Sequence, residues 1–208
     1  MLVAVMALAL CVPAARVDGT GPRVEDIRPL PTQLLSVIVR GPLRVEVVAA
    51  EVSRAVVSAE ANLLPMVVLT SRGTTLEVGV VGDPVSSAGI LVTLEMPPPS
   101  SVAVLGAARV ATPVRGDARV ETSGAARVRV TGQPDRLTLV ASGASAIDAA
   151  AVIVGDVNVE VAGAVEVDVA ARTSLAVSGG GVGRVRYRGD PRLQTKVSPT
   201  VKVSRSRT

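Results

Sequence analysis

The sequence predicts an all-β fold: a right-handed parallel β-helix, or solenoid, with coils of about 18–20 residues. A β-sandwich of hairpins is the alternative. Three observations carry the prediction. Hydrophobic residues make up 48 % of the 208-residue chain, yet it contains no Phe, no Trp and one Tyr, Tyr187. The apolar mass is therefore Val, Ala and Leu. Branched Val suits a pleated surface, and a core without rings must be narrow. Long stretches alternate Val with polar residues, the period of a half-buried strand. A Gly-Ala break then recurs in phase at Gly106, Gly124, Gly143, Gly163 and Gly179, with gaps of 18, 19, 20 and 16 residues. Apolar residues stand four before the break (Val102, Val120, Leu139, Val159, Leu175) and four after it (Val110, Val128, Ile147, Val167). A residue without Cβ turns the chain sharply, so these five glycines are read as structural corners stacked coil on coil. A sandwich explains the alternation but not the shared phase of the breaks.

From the N-terminus, residues 1–15 (MLVAVMALALCVPAA) form an apolar run too short to span a bilayer, followed by small residues. They read as a secretory signal peptide with a cleavage signal at Val12-Pro13-Ala14, or as a lipoprotein anchor at Cys11. No Lys or Arg precedes the run. Residues 16–32 hold three prolines and two glycines and read as a linker. Residues 33–200 form the β-helical domain. Within it, 33–97 are N-terminal coils or a cap, with turns at Gly41-Pro42 and Arg72-Gly73, and 98–191 carry the in-phase repeats. Residues 201–208 read as a basic tail.

The chemistry open to the chain is limited. There is no His, which excludes an imidazole base and a His-ligated metal. Cys11 is the only Cys, so no intrachain disulfide can form. No catalytic residue, cofactor site or metal site is expected. Asp156, Glu160, Glu166 and Asp168 match no calcium loop, and SGGGVGR at 178–184 lacks the Gly-Lys-Ser/Thr of a phosphate loop. The two Arg-Gly-Asp tripeptides, at 115–117 and 188–190, read as turns.

Outward positions do vary between coils. Three residues after the repeat Gly stand Arg109, Arg127, Ala146 and Glu166; five after it stand Ala111, Arg129, Asp148 and Asp168. Arg184 and Arg186 restore positive charge on the last coil. The net charge is +4. Arg109, Arg127 and Arg129 are the candidate face for an anionic ligand, such as an acidic or cell-surface polysaccharide. Nucleic acid is not expected, because one Tyr supplies little stacking. The polarised edge also allows a homo-oligomer.

Short motifs then occur in a telling order. A V-x-GP-x-x-V-x-V opening (Val39–Val47) precedes Met96-Pro97, the S-G-A repeats and a closing Y-x-G-x-P (Tyr187, Gly189, Pro191). Together they make residues 33–200 resemble the head GIN domain family of bacterial exported proteins, described as auto-transporter adhesins. The resemblance implies an exported, non-enzymatic β-helical module of the cell envelope with a role in structure or adhesion. It implies no catalytic residue. The expected location is the periplasm, the outer membrane or the exterior, with no transmembrane span in the mature chain. An envelope scaffold assembling end to end through its coil edges is the alternative function.

Overall fold

The computed structural model describes residues 16–206. The expected signal segment 1–15, with Cys11, and the end of the basic tail lie outside the described residues. The fold is all-β. Strands β1 (Arg16–Asp18) and β2 (Arg23–Pro29) precede β3 (Ser36–Arg40), β4 (Leu43–Ala49) and β5 (Arg54–Glu60). A 3-10 turn at Leu64–Met66 leads to β6 (Val67–Arg72), β7 (Thr75–Val80), β8 (Asp83–Val85) and β9 (Ile90–Met96). Then come β10 (Ser101–Leu105), β11 (Arg109–Ser123), β12 (Arg127–Gly143), the long, bent β13 (Ala146–Arg188), β14 (Arg192–Val197) and β15 (Val201–Arg205).

The repeat region pairs in parallel. Val110 lies beside Val128 at an offset of 18 residues, Val128 beside Ile147 at 19, and Leu139 beside Val159 at 20. These offsets equal the spacing of the Gly-Ala breaks. Strands β14 and β15 join β13 in the same sense. A sandwich of hairpins would instead pair successive strands antiparallel. Residues 33–97 enter the same ladders: β3 pairs β10, and β4 pairs β11. The thirteen-stranded sheet is mixed, because its N-terminal end adds antiparallel strands. There β5 pairs both β9 and β2, and β6 pairs β7.

The core follows from the alternation. Val37, Val102, Val120, Leu139 and Val159 are cross-strand neighbours, each fully buried. A second buried row runs through Val45, Val110, Val128 and Ile147. Each buried Val or Leu contributes about 1.5–3 kcal/mol relative to exposure. Valine on valine fills the narrow interior without rings.

Two segments differ from the sequence expectation. Residues 16–32 are not an irregular linker: β1 pairs β8, and β2 covers the edge of β5. The driving force is the unmet hydrogen-bonding edge of β5, which short alternating RVEDI can satisfy despite its flanking glycines and prolines. Residues 201–205 are likewise a strand, not a tail, with Val201 buried and Val203 packed on the core.

Candidate functional site

The corners set the geometry of the outer faces. A Cβ built on Gly124 would stand 2.8 Å from the carbonyl oxygen of Gly106, and one on Gly143 would stand 2.7 Å from that of Gly124. Gly163 stands over Gly143 in the same way, while Gly106 sits over Gly41 more loosely, 3.3 Å from its nitrogen. Backbone thus packs on backbone, with no room for a side chain. The last member of this column is Gly181, which stands over Gly163. Gly179, aligned with the other four by sequence, lies over Val161 instead. The extra residues in SGGGVG shift the corner by two positions.

The stacked corners hold the strands that follow them in register. Side chains on one face of each strand therefore form rows across the sheet, one strand spacing of about 4.8 Å apart. The first row after the corner reads Arg44, Arg109, Arg127, Ala146. Glu166 continues it; its N–H donates to the Ser145 carbonyl at 3.0 Å. Two residues further along the strands, the second row reads Glu46, Ala111, Arg129, Asp148.

The charges divide into satisfied and free groups. Arg129 Nε donates to Asp148 Oδ2 at 3.3 Å. Arg186 grips Asp168 with two bonds, Nε to Oδ1 at 2.6 Å and Nη2 to Oδ2 at 2.9 Å, and reaches Glu166 Oε1 at 2.6 Å. Its pKa is raised, chiefly by the bond to Asp168. Among the described residues, no carboxylate lies within ion-pair distance of Arg44, Arg109 or Arg127, and none of the three donates a side-chain hydrogen bond. All three are exposed. They form a ridge: all three line one shallow hollow, and Arg109 and Arg127 also border a second. One, of about 640 Å³, lies between the two rows. The other, of about 560 Å³, lies towards the corner and is floored by Ala107, Ala125, Ala144 and Ala164.

The sequence-derived face of Arg109, Arg127 and Arg129 is thus brought together on one surface. Arg129 is engaged by Asp148 within it, and Arg44 joins the two arginines that remain free. Sequence reasoning missed Arg44 because it lies outside the phased repeats. Arg-Val at 44–45 matches Arg-Val at 109–110 and 127–128, but the same dipeptide at 16–17, 23–24, 119–120 and 184–185 keeps it from being a specific signal. The four acids considered for calcium are engaged separately. Asp156 accepts a bond from Ser174 at 2.6 Å and Glu160 one from Asn158 at 3.4 Å, while Glu166 and Asp168 serve Arg186. The Arg-Gly-Asp tripeptide at 115–117, expected as a turn, instead lies within β11 at a register shift between Gly116 and Asp117, while that at 188–190 begins at the end of β13; Asp117 faces Arg136 at 3.9 Å and Asp190 faces Arg205 at 3.4 Å.

A second polar cluster lies near the N-terminal end. Glu60 is only 6 % exposed. Its Oε2 accepts from Ser86 Oγ at 2.7 Å, and its Oε1 accepts from the Ser87 hydroxyl at 3.0 Å and the Ser87 amide at 3.1 Å. The Ser86 bond, with help from Glu60's own backbone and Ser87, holds the carboxyl at about 2, against the opposing effect of burial. Both serine partners come from the loop after β8, so the cluster fastens that loop to the end of β5. Sequence reasoning offered no signal for it.

Comparison with known proteins places the geometry in context. The family model described as "Putative auto-transporter adhesin, head GIN domain" matches residues 35–191. A putative adhesin from Bacteroides fragilis NCTC 9343 superposes with a TM-score of 0.73 at 11 % identity, over 91 % of this chain and 100 % of that one. A putative adhesin from Parabacteroides merdae ATCC 43184 gives a TM-score of 0.59 at 19 % identity, over 93 % and 100 %. A putative lipid binding protein from Parabacteroides distasonis ATCC 8503 gives 0.54 at 15 % identity, over 93 % and 100 %. At these identities the likeness is one of fold. No relative is found among the curated proteins.

Proposed function

The chain belongs to the head GIN domain family, and on that premise we propose that it is an exported, non-enzymatic binding module of the cell envelope that acts in adhesion. Its architecture is a right-handed parallel β-helix over residues 33–200, entered from a cleaved signal segment at 1–15. The parallel offsets of 18–20 residues support the helix, and the near-universal right hand of parallel crossovers supports its sense. The observation that carries the binding role is the ridge of Arg44, Arg109 and Arg127. Three cations left without internal partners on a flat, rigid face are placed for an external anion. The non-enzymatic reading is supported by the absence of His and by acids that are engaged one by one with Arg, Ser or Asn.

Fractionation of cells expressing the full chain, with N-terminal sequencing, tests export: the expected product lies in the envelope fraction and has lost Met1. An intact chain confined to the cytoplasm contradicts the reading. Binding of the purified chain to intact cells and to a glycan array tests adhesion.

End-to-end assembly is the second reading, favoured by one observation. Leu193 is 40 % exposed on β14, while its ladder partner Leu175 is fully buried, so the apolar interior runs out uncapped at this end. At the opposite end, Asp26 and Arg28 occupy the inward positions of β2 and pair at 2.8 Å. Inward charge is a device that blocks strand addition, so the uncapped end favours joining two copies through β14 and disfavours an open filament. Sedimentation velocity across a concentration series decides: a strict monomer removes the assembly reading.

A further inference from the structure

We propose that Arg44, Arg109 and Arg127 bind a linear anionic polysaccharide laid across the strands, along the stacking axis, with one carboxylate or sulfate per guanidinium. This rests on the reading of the chain as a binding module and names the ligand of that face.

The argument begins with spacing. The three arginines are direct ladder neighbours, so their Cα atoms repeat at the strand spacing of about 4.8 Å. One compact anion bridges two adjacent guanidiniums at most. Only a chain with regularly repeated charges engages all three, and each guanidinium offers a carboxylate or sulfate a two-pronged contact. A linked pyranose advances its chain by close to one strand spacing, and although successive acids turn about the chain, the long exposed arginine side chains can follow them from rung to rung. An extended acidic peptide repeats its same-side residues at about 6.8 Å and brings no flat rings to lie on the alanines beside the ridge.

The surroundings narrow the choice further. The ridge borders the hollow floored by Ala107, Ala125, Ala144 and Ala164, which runs over four rungs, about 14 Å from end to end. That floor is flat and exposed, suited to lying beneath sugar rings where no aromatic platform exists. Single-stranded nucleic acid needs such platforms, and Tyr187 is partly buried against the core. A flat anionic membrane is disfavoured by the second row. The hollow between the rows is lined by five arginines but also by Glu46, Asp148, Glu166 and Asp168. A plane pressed on this face meets all four acids; a narrow chain along the ridge meets only Glu166, two rungs beyond Arg127.

The test is calorimetric titration of the purified chain, at low salt, with oligogalacturonate of four to six sugars. Galacturonate monomer, neutral dextran, poly-glutamate and phosphatidylglycerol vesicles serve as comparisons. The expected result is oligogalacturonate binding that weakens as salt screens the charges. Arg109→Gln and Arg127→Gln should each lower affinity about three- to tenfold. Arg72→Gln, an exposed charge on β6, should leave it unchanged. Circular dichroism confirms that each variant folds. Monomer binding as tight as the oligomer's, poly-glutamate or vesicles binding more tightly than the oligosaccharide, or indifference to Arg109→Gln and Arg127→Gln overturns the proposal. Capture of neutral glycans alone overturns the ligand class and leaves the binding-module reading standing. Failure to bind any glycan or cell surface overturns both.

Discussion

At Gly124 the backbone has φ +104°, and the space where a Cβ would sit is filled by the carbonyl of Gly106. Two costs therefore add there, a left-handed backbone and a clash with main chain that cannot swing away. Gly124→Ala should destabilise by about 2–4 kcal/mol. Gly116 also has positive φ, +64°, but has nothing within 4 Å of its would-be Cβ. Gly116→Ala should cost only about 1–2 kcal/mol, the backbone cost alone. Urea denaturation of both variants checks this, and equal losses would deny that close stacking of the corners matters. The corner glycines were legible because they recur in phase. The last was misplaced because two inserted residues move the corner from Gly179 to Gly181, and only the neighbouring coil fixes which glycine sits over Gly163. Glu60 was invisible for a related reason: Ser86 and Ser87 lie 26 and 27 residues away in sequence. Its folded pKa lies below the unfolded value, so its contribution is fully present above the unfolded pKa of about 4.3. It is lost as pH falls from there through about 2. The urea midpoint of the wild type should therefore drop more between pH 6 and pH 2.5, in rough terms, than that of Glu60→Gln.

Strands differ in how many neighbours hold them. β12 is flanked by β11 and β13, whereas β14 and β15 each pair with β13 alone. Amides of β14 and β15 should exchange with solvent well before those of β12. Arg192 and Lys196 point outward on β14 and guard its free edge with charge, as natural edge strands do. Replacing both with Thr should strengthen association as concentration rises, relative to the wild type, and light scattering would show it; unchanged association would mean that these charges are not the guard. The inner elements were readable from alternation of Val with polar residues. The outer ones, β1, β2 and β15, were not. They are strands because an edge needs a hydrogen-bonding partner, a demand set by β5, β8 and β13 and absent from the local sequence. Arg44 escaped notice similarly: its neighbour Arg109 is brought alongside by the ladder between β4 and β11, across six intervening strands.

For the molecule as a whole, small side chains dictate a narrow interior, and the parallel ladders spread stability over contacts between neighbouring strands. The interior is nearly constant from coil to coil, so it carries architecture. The outward rows change from basic to acidic and back, so they carry whatever distinguishes this chain. That division depends on the parallel register of the coils, which can be tested covalently. Thr138 on β12 and Asn158 on β13 are direct parallel partners with half-buried, outward side chains. Neighbouring positions at the strand spacing fall within disulfide reach, and positions two strands apart do not. In a Cys11→Ser background, mild oxidation of Thr138→Cys with Asn158→Cys should form an intrachain disulfide quantitatively, while Thr138→Cys with Ala176→Cys should stay reduced. Crosslinking of the second pair, or failure of the first in a folded protein, would contradict the stacked parallel architecture on which the ligand face depends.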